Sequence, residues 1–238
     1  MMKSVTLVAA LARGVFACAL AAMLVAGSVA ARAEVAAADP IDASMRTCLA
    51  RADMSSTAGQ VQCMETARLA WQASVDQSFQ QVLAKVPAAQ RAKWDESQRR
   101  WKAWREADSK LLAAVIATTH GTRYVLSEAD MQLQPVRDRA LVLRSVAAKT
   151  GGVDPLPRLR ACSADAQCVH ANADMNRYYW RLRQKMPPHS RAILMRAQRA
   201  WVAYRDATVT LGSALERVDL IGARVATLKK LADTADND

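Results

Sequence analysis

Apolar residues recur along this chain at helical spacing. Val75, Phe79, Val82 and Val86 stand at i, i+4, i+7 and i+11, which places them on one face of a helix. Met175, Tyr179, Leu182 and Met186 repeat the stripe at the same offsets. Pro87 follows the first stripe and Pro187-Pro188 the second; proline lacks an amide donor and clashes with the preceding turn, so each helix should stop there. Beyond the prolines, Leu194, Ala197, Trp201, Tyr204, Thr208, Leu211 and Leu215 alternate by threes and fours, the seam of a helix that packs on another helix. Trp94, Ser97, Trp101, Trp104, Asp108, Leu111 and Val115 occupy the matching places earlier on, with Ser97 and Asp108 weakening that seam. A third helix is expected after each seam, from Pro135 to Ala148 and from Glu216 to Leu231, the latter with Val218, Ile221, Val225 and Leu228 on one stripe. His120-Gly121-Thr122 separates the first long seam helix from the third helix of its half.

The two halves are copies. Residues 85–107 overlay 185–207 without a gap, sharing Lys85/Lys185, Pro87/Pro187, Gln98/Gln198, Arg99/Arg199, Trp101/Trp201 and Arg105/Arg205, among ten identities in 23 positions. Two matched tryptophans in one register indicate a duplication. The run Gly151-Gly152-Val153-Asp154-Pro155-Leu156-Pro157 breaks any helix and reads as the linker. The expectation is therefore an all-α protein of two tandem small modules, 41–150 and 158–232. Each would be built on an antiparallel helical hairpin joined at the prolines and preceded by a short cysteine-bearing helix. Scarce glycine, 8 residues, and 5% aromatics agree with helices over sheets.

The first 33 residues stand apart. Lys3 and Arg13 form a basic head, an apolar run extends from Gly14 to Ala31, and Ala31-Arg32-Ala33 has the small-x-small form of a signal peptidase site. A cleaved secretory leader with Glu34 as the first mature residue is expected, and with it a periplasmic or secreted location. Two other readings are an uncleaved membrane anchor, since the run is just long enough to span, and a lipoprotein through Val15-Phe16-Ala17-Cys18, where Phe16 fits poorly. The whole chain carries 33 basic and 22 acidic residues, a net charge of +11. Loss of Lys3, Arg13 and Arg32 with the leader lowers this to +8, so the mature chain attracts anionic surfaces and repels basic partners at long range.

Cleavage also removes Cys18 and leaves Cys48, Cys63, Cys162 and Cys168. An even number of cysteines in an exported chain indicates disulfides. Of the three possible connectivities the repeat favours the local one, Cys48–Cys63 with Cys162–Cys168. A metal site on Cys162, Cys168 and His170 matches no common zinc spacing and lacks a fourth ligand.

In the second module, Cys162 and Cys168 are followed by Ala173-Asp174-Met175-Asn176, Tyr179 and then Gln198-Arg199-Ala200-Trp201-Val202-Ala203-Tyr204-Arg205-Asp206. The first module is a looser copy: Cys48, Cys63, Asp76, Phe79 and Gln98-Arg99-Arg100-Trp101-Lys102-Ala103-Trp104-Arg105-Glu106. This pattern resembles the lysozyme inhibitor LprI-like domain of bacterial envelope proteins. The resemblance implies a helical, disulfide-bonded fold and lysozyme or another envelope protein as partner. That family usually has further cysteines just after the Tyr-Arg-Asp element and in the last helix; here the matching places lie near Ser109, Val209, Met131 and Glu216, so the last helix of each module should be held by packing alone.

The Gln-Trp-Arg elements are expected to be structural. With Trp101 and Trp201 on the seams, Asp76 and Asn176 should face them across the hairpin, and Gln98, Arg105, Gln198 and Arg205 should complete a buried polar clasp that fixes register. Catalytic motifs, cofactor motifs and phosphate loops are absent from the sequence, and His120, His170 and His189 read as solvated residues near loops. The segment from Arg177 to Arg205 holds eight bases and no acid, namely Arg177, Arg181, Arg183, Lys185, Arg191, Arg196, Arg199 and Arg205, interleaved with Tyr178, Trp180 and Tyr204 up to its end. Such a stretch suits an anionic glycan or lipid head groups, whereas export disfavours nucleic acid. Three function classes remain: a protein-binding module directed at lysozyme, a module for anionic glycan or lipid, and a structural or assembly factor of the envelope.

Overall fold

The computed structural model describes residues 39–149 and 158–235. The expected leader, residues 1–33, its lipobox alternative at Cys18 and the linker, residues 151–157, lie outside the described residues. Within them the chain forms α1 (Pro40–Leu49), α2 (Thr57–Lys85), α3 (Ala88–Ile116) and α4 (Arg123–Ala148) in the first module, and α5 (Ala166–Lys185), α6 (Arg191–Val209) and α7 (Ala214–Thr234) in the second, with no strand among the described residues. The protein is all-α and two-moduled, as the periodicity predicts.

The stripes fall where the pattern puts them. Val75, Val82 and Val86, and their counterparts Met175, Leu182 and Met186, are buried, while Phe79 and Tyr179 pack against the core from its edge. α2 stops at Lys85 and α5 at Lys185, one residue short of an extended Val86 or Met186 and two short of proline. The helix starts are capped through side chains. Ser56 Oγ accepts from Gly59 N at 3.1 Å, and Asp165 Oδ1 accepts from the amides of Gln167 and Cys168. Ser213 and Glu216 form a reciprocal capping box at α7, which satisfies amides that have no partner in the first turn.

Helix pairing adds something that periodicity alone does not reveal. The helices joined at the proline turns are present in both modules, but each takes its main packing partner elsewhere: α2 lies along α4, α5 along α7, and α3 along α6 of the other module. Ser97 of α3 meets Thr208 of α6, and Trp104 meets Tyr204; partner numbers fall as α3 ascends, so α3 and α6 run antiparallel. The seams read from sequence therefore close on each other across the modules, and a single hydrophobic core runs through both.

Several boundaries differ from expectation. α4 begins at Arg123, so Pro135 sits inside it and does not open it. Its polar first half is supported by Gln132–Glu128 and Gln134–Asp130 contacts, one helical turn apart. α6 ends at Val209, which leaves Leu211 in the turn and Leu215 on α7, 64% exposed, so the seam is shorter than drawn. Among the described residues the second module also has no counterpart of α1, only a single turn at Cys162–Ala164 before α5.

Both local disulfides are formed, Cys48–Cys63 tying α1 to α2 and Cys162–Cys168 tying that single turn to α5. With its cysteines oxidised, the second module offers no thiolates to a metal. The third helices are not held by packing alone. In the first module Arg137 of α4 binds Asp42 of α1 at 2.7 Å and Arg144 binds Asp39, both guanidiniums lying over the Trp71 ring. In the second, Arg217 of α7 binds Asp165 at 2.8 Å.

Candidate functional site

The antiparallel α3–α6 pair is the floor on which the candidate site is built. Trp94, Trp101 and Trp104 from α3 and Trp201 and Tyr204 from α6 are all buried. Trp104 and Tyr204, the same position in the two copies, stack with ring centroids 5.2 Å apart and planes within 3°. Aromatic pairs stabilise beyond the area they bury.

The polar clasp exists, with different partners from those expected. Gln98 Oε1 accepts from Arg139 Nε at 3.0 Å and Nη2 at 2.9 Å, and Gln198 Oε1 accepts from Arg224 Nε at 3.1 Å. Arg139 and Arg224 come from α4 and α7. Among the described residues Asp76 and Asn176 take no part: both are exposed, and Asp76 accepts from Gln72 at 3.4 Å. The reason is the pairing of helices, since the glutamines of α3 and α6 face the third helix of their own module. Arg105 donates to Gln132 O of α4 at 2.9 Å, whereas Arg205 turns outward to Asp206 and lies over Trp201.

The third helices repeat as well, at an offset of 85 residues. Arg139 matches Arg224, and Lys85 and Lys185 donate to Ala147 O and Ala232 O, near the ends of α4 and α7. The symmetry breaks again at the arginines of the third helices. Arg224 Nη1 binds Asp108 Oδ1 of the other module at 2.7 Å, a buried ion pair. The counterpart of Asp108 is Thr208, and among the described residues the partners of Arg139 are neutral: Gln98, the Ser97 hydroxyl at 3.2 Å and the Tyr204 ring. Burial pulls the Arg139 guanidinium below its ordinary pKa, because leaving water disfavours the charged form.

Above this floor, between α4 and α7, lies a cavity of about 610 Å³ bordered by both arginines and the five aromatics. Lys230 of α7 and Asp130 of α4 form a 2.7 Å ion pair, and both belong to its lining.

The basic stretch does not form one open face. Its members are divided between α5, which packs on α7, and α6, which packs on α3. Arg177 pairs with Asp174 at 3.1 Å and Arg181 with Asp233 at 3.4 Å, and Lys185 and Arg191 donate to backbone carbonyls. Arg183 lies over the exposed Trp180 ring, Arg199 contacts Met195 Sδ, and Arg196 is exposed. His120, His170 and His189 are exposed, His170 on the first turns of α5 and not in a loop. Among the described residues no group of three or more His, Cys, Asp or Glu could hold a metal ion, and no helix is long and apolar enough to cross a membrane.

Fold and site together define a duplicated, disulfide-stapled helical module whose buried polar groups brace helices. The family model described as lysozyme inhibitor LprI matches residues 48–143 and 156–235, one segment in each module, and the chain belongs to that family. It is also similar to an uncharacterised protein from Burkholderia thailandensis seen in a crystal structure. The two are 55% identical with a TM-score of 0.80, over 83% of this chain and 98% of the other. No curated protein matches the chain.

Proposed function

We propose that the mature chain is an exported, non-catalytic binding protein of the bacterial envelope whose partner is lysozyme. The observation that carries this reading is the match of both modules to the lysozyme inhibitor family. Two disulfides are compatible with an oxidising, extracytoplasmic compartment, and the leader read from sequence supplies the route, with Glu34 as the mature N-terminus.

The segment from Asp53 to Gly59 is the better docking candidate of the two stapled loops. It lies within the Cys48–Cys63 loop and is braced by the Ser56 cap, and it exposes Asp53, Ser55 and Ser56. A Cβ on Gly59 would come within 2.7 Å of the Met54 backbone, so glycine lets this loop close. Rigid loops lose less entropy on binding. In the other loop, Ser163–Gln167, the carboxylate of Asp165 is held by both the α5 cap and Arg217 and is 20% exposed, whereas Asp53 is held by Arg51 alone and is 61% exposed.

The test is bacterial-wall lysis by a basic animal lysozyme with increasing amounts of the oxidised mature chain. Dose-dependent slowing, diminished by substitutions at Asp53 and Ser55, supports the reading. Unchanged lysis at every ratio, with no complex detected, rejects it.

A further inference from the structure

The cavity between α4 and α7 has the size of a site for a small organic molecule, typically ~300–1,000 Å³, and its chemistry is unusual for a gap between helices. Its floor is aromatic, and two of its bordering residues are arginines only 2% and 1% exposed. Duplication supplies an internal control. Arg224 has a carboxylate, Asp108, and Arg139 at the equivalent place has none among the described residues, because Thr208 stands where Asp108 does in the other copy. Several donors around the cavity lack acceptors: Arg139 Nη1, Arg224 Nη2 and the indole N–H groups of Trp94 and Trp104. A buried guanidinium held by neutral oxygens is the half of an ion pair that lacks its anion, and its one unpaired nitrogen, Nη1, can donate a charge-assisted hydrogen bond to a carboxylate.

We propose that this cavity binds a small monocarboxylate with an apolar body, its carboxylate received by Arg139 and its body lying over the tryptophans of α3. The remaining charges restrict the ligand to a single negative charge. Lys230 is occupied by Asp130 and Arg217 by Asp165, and Asp138, Glu216 and Asp219 also line the cavity, so a phosphate or a dicarboxylate meets repulsion that one deeply seated carboxylate avoids. The apolar lining supplies affinity and the guanidinium supplies orientation.

The experiment uses decanoate and its uncharged counterpart decanol, with tryptophan fluorescence and calorimetry on the mature chain. Decanoate is expected to bind at least about tenfold more tightly than decanol, the size of a charge-assisted hydrogen bond. Thr208→Asp gives Arg139 the internal carboxylate that Arg224 already has; it should abolish the preference for decanoate and raise the melting temperature. Arg139→Gln should equalise the two ligands; because it also removes the donors to the buried Gln98, its helicity and melting are measured first, and Thr208→Asp carries the test if it does not fold. The proposal is overturned if decanoate and decanol bind alike or not at all to the parent, or if Thr208→Asp retains the parent's preference. None of these results bears on lysozyme, so the two readings fail separately.

Discussion

Trp104 stacks on Tyr204, its own counterpart in the duplicated module, with ring centroids 5.2 Å apart. A contact between equivalent positions is what a twofold-symmetric dimer makes at its axis; here the two partners belong to one chain. The duplication is therefore not a string of separate beads: each copy completes the other's core.

Trp201 lies beside that stack and is 1% exposed. Trp201→Ala should destabilise the protein by ~3–5 kcal/mol, the usual cost of removing a large aromatic from a core. Denaturant unfolding measures it. A variant that melts like the parent but loses a partner would make the tryptophan a surface anchor instead.

The buried pair of Asp108 and Arg224 gives a sharper result. Asp108→Ala leaves a buried guanidinium without its anion and should cost ~3–5 kcal/mol. The double variant Asp108→Leu/Arg224→Met should recover most of that loss, since an apolar pair of similar volume often matches a buried ion pair. A double-mutant cycle by thermal unfolding checks this; additive losses would mean that the two residues do not act together.

The two staples should contribute unequally. Cys48 and Cys63 are 15 residues apart and Cys162 and Cys168 are 6 apart, so the first bond should contribute ~3 kcal/mol and the second less, by the loop-closure argument. Reduction should lower the melting temperature while helicity persists, because α2–α4, α5–α7 and α3–α6 packing does not depend on sulfur. Circular dichroism with and without reductant, repeated on each Cys-to-Ser pair, separates the two contributions.

Much of this was legible in the sequence because helix periodicity is a local signal. The stripes at Val75–Val86 and Met175–Met186 are in place, the prolines stop their helices, and the repeat selects the local disulfides. Which seam meets which is a tertiary matter, and here the nearest helix in sequence is not the packing partner. That is why Asp76 and Asn176 are natural but mistaken choices for the clasp. The missed partners had a signal of their own. Arg139 falls three residues after Val136 and four before Leu143, and Arg224 stands the same way between Ile221 and Leu228; an arginine on the buried stripe of a helix demands an internal acceptor. Pro135 hid the first half of α4, because proline more often opens a helix than interrupts one.

Lysozyme binding is tested by the rate of association between the mature chain and a basic animal lysozyme as a function of ionic strength. Two positively charged proteins repel at long range, and the only acid in the favoured loop, Asp53, is paired with Arg51. Weak inhibition is expected, with an onset that quickens as salt screens the repulsion. Tight inhibition that weakens steeply with added salt would contradict it, because that behaviour requires an acidic docking surface.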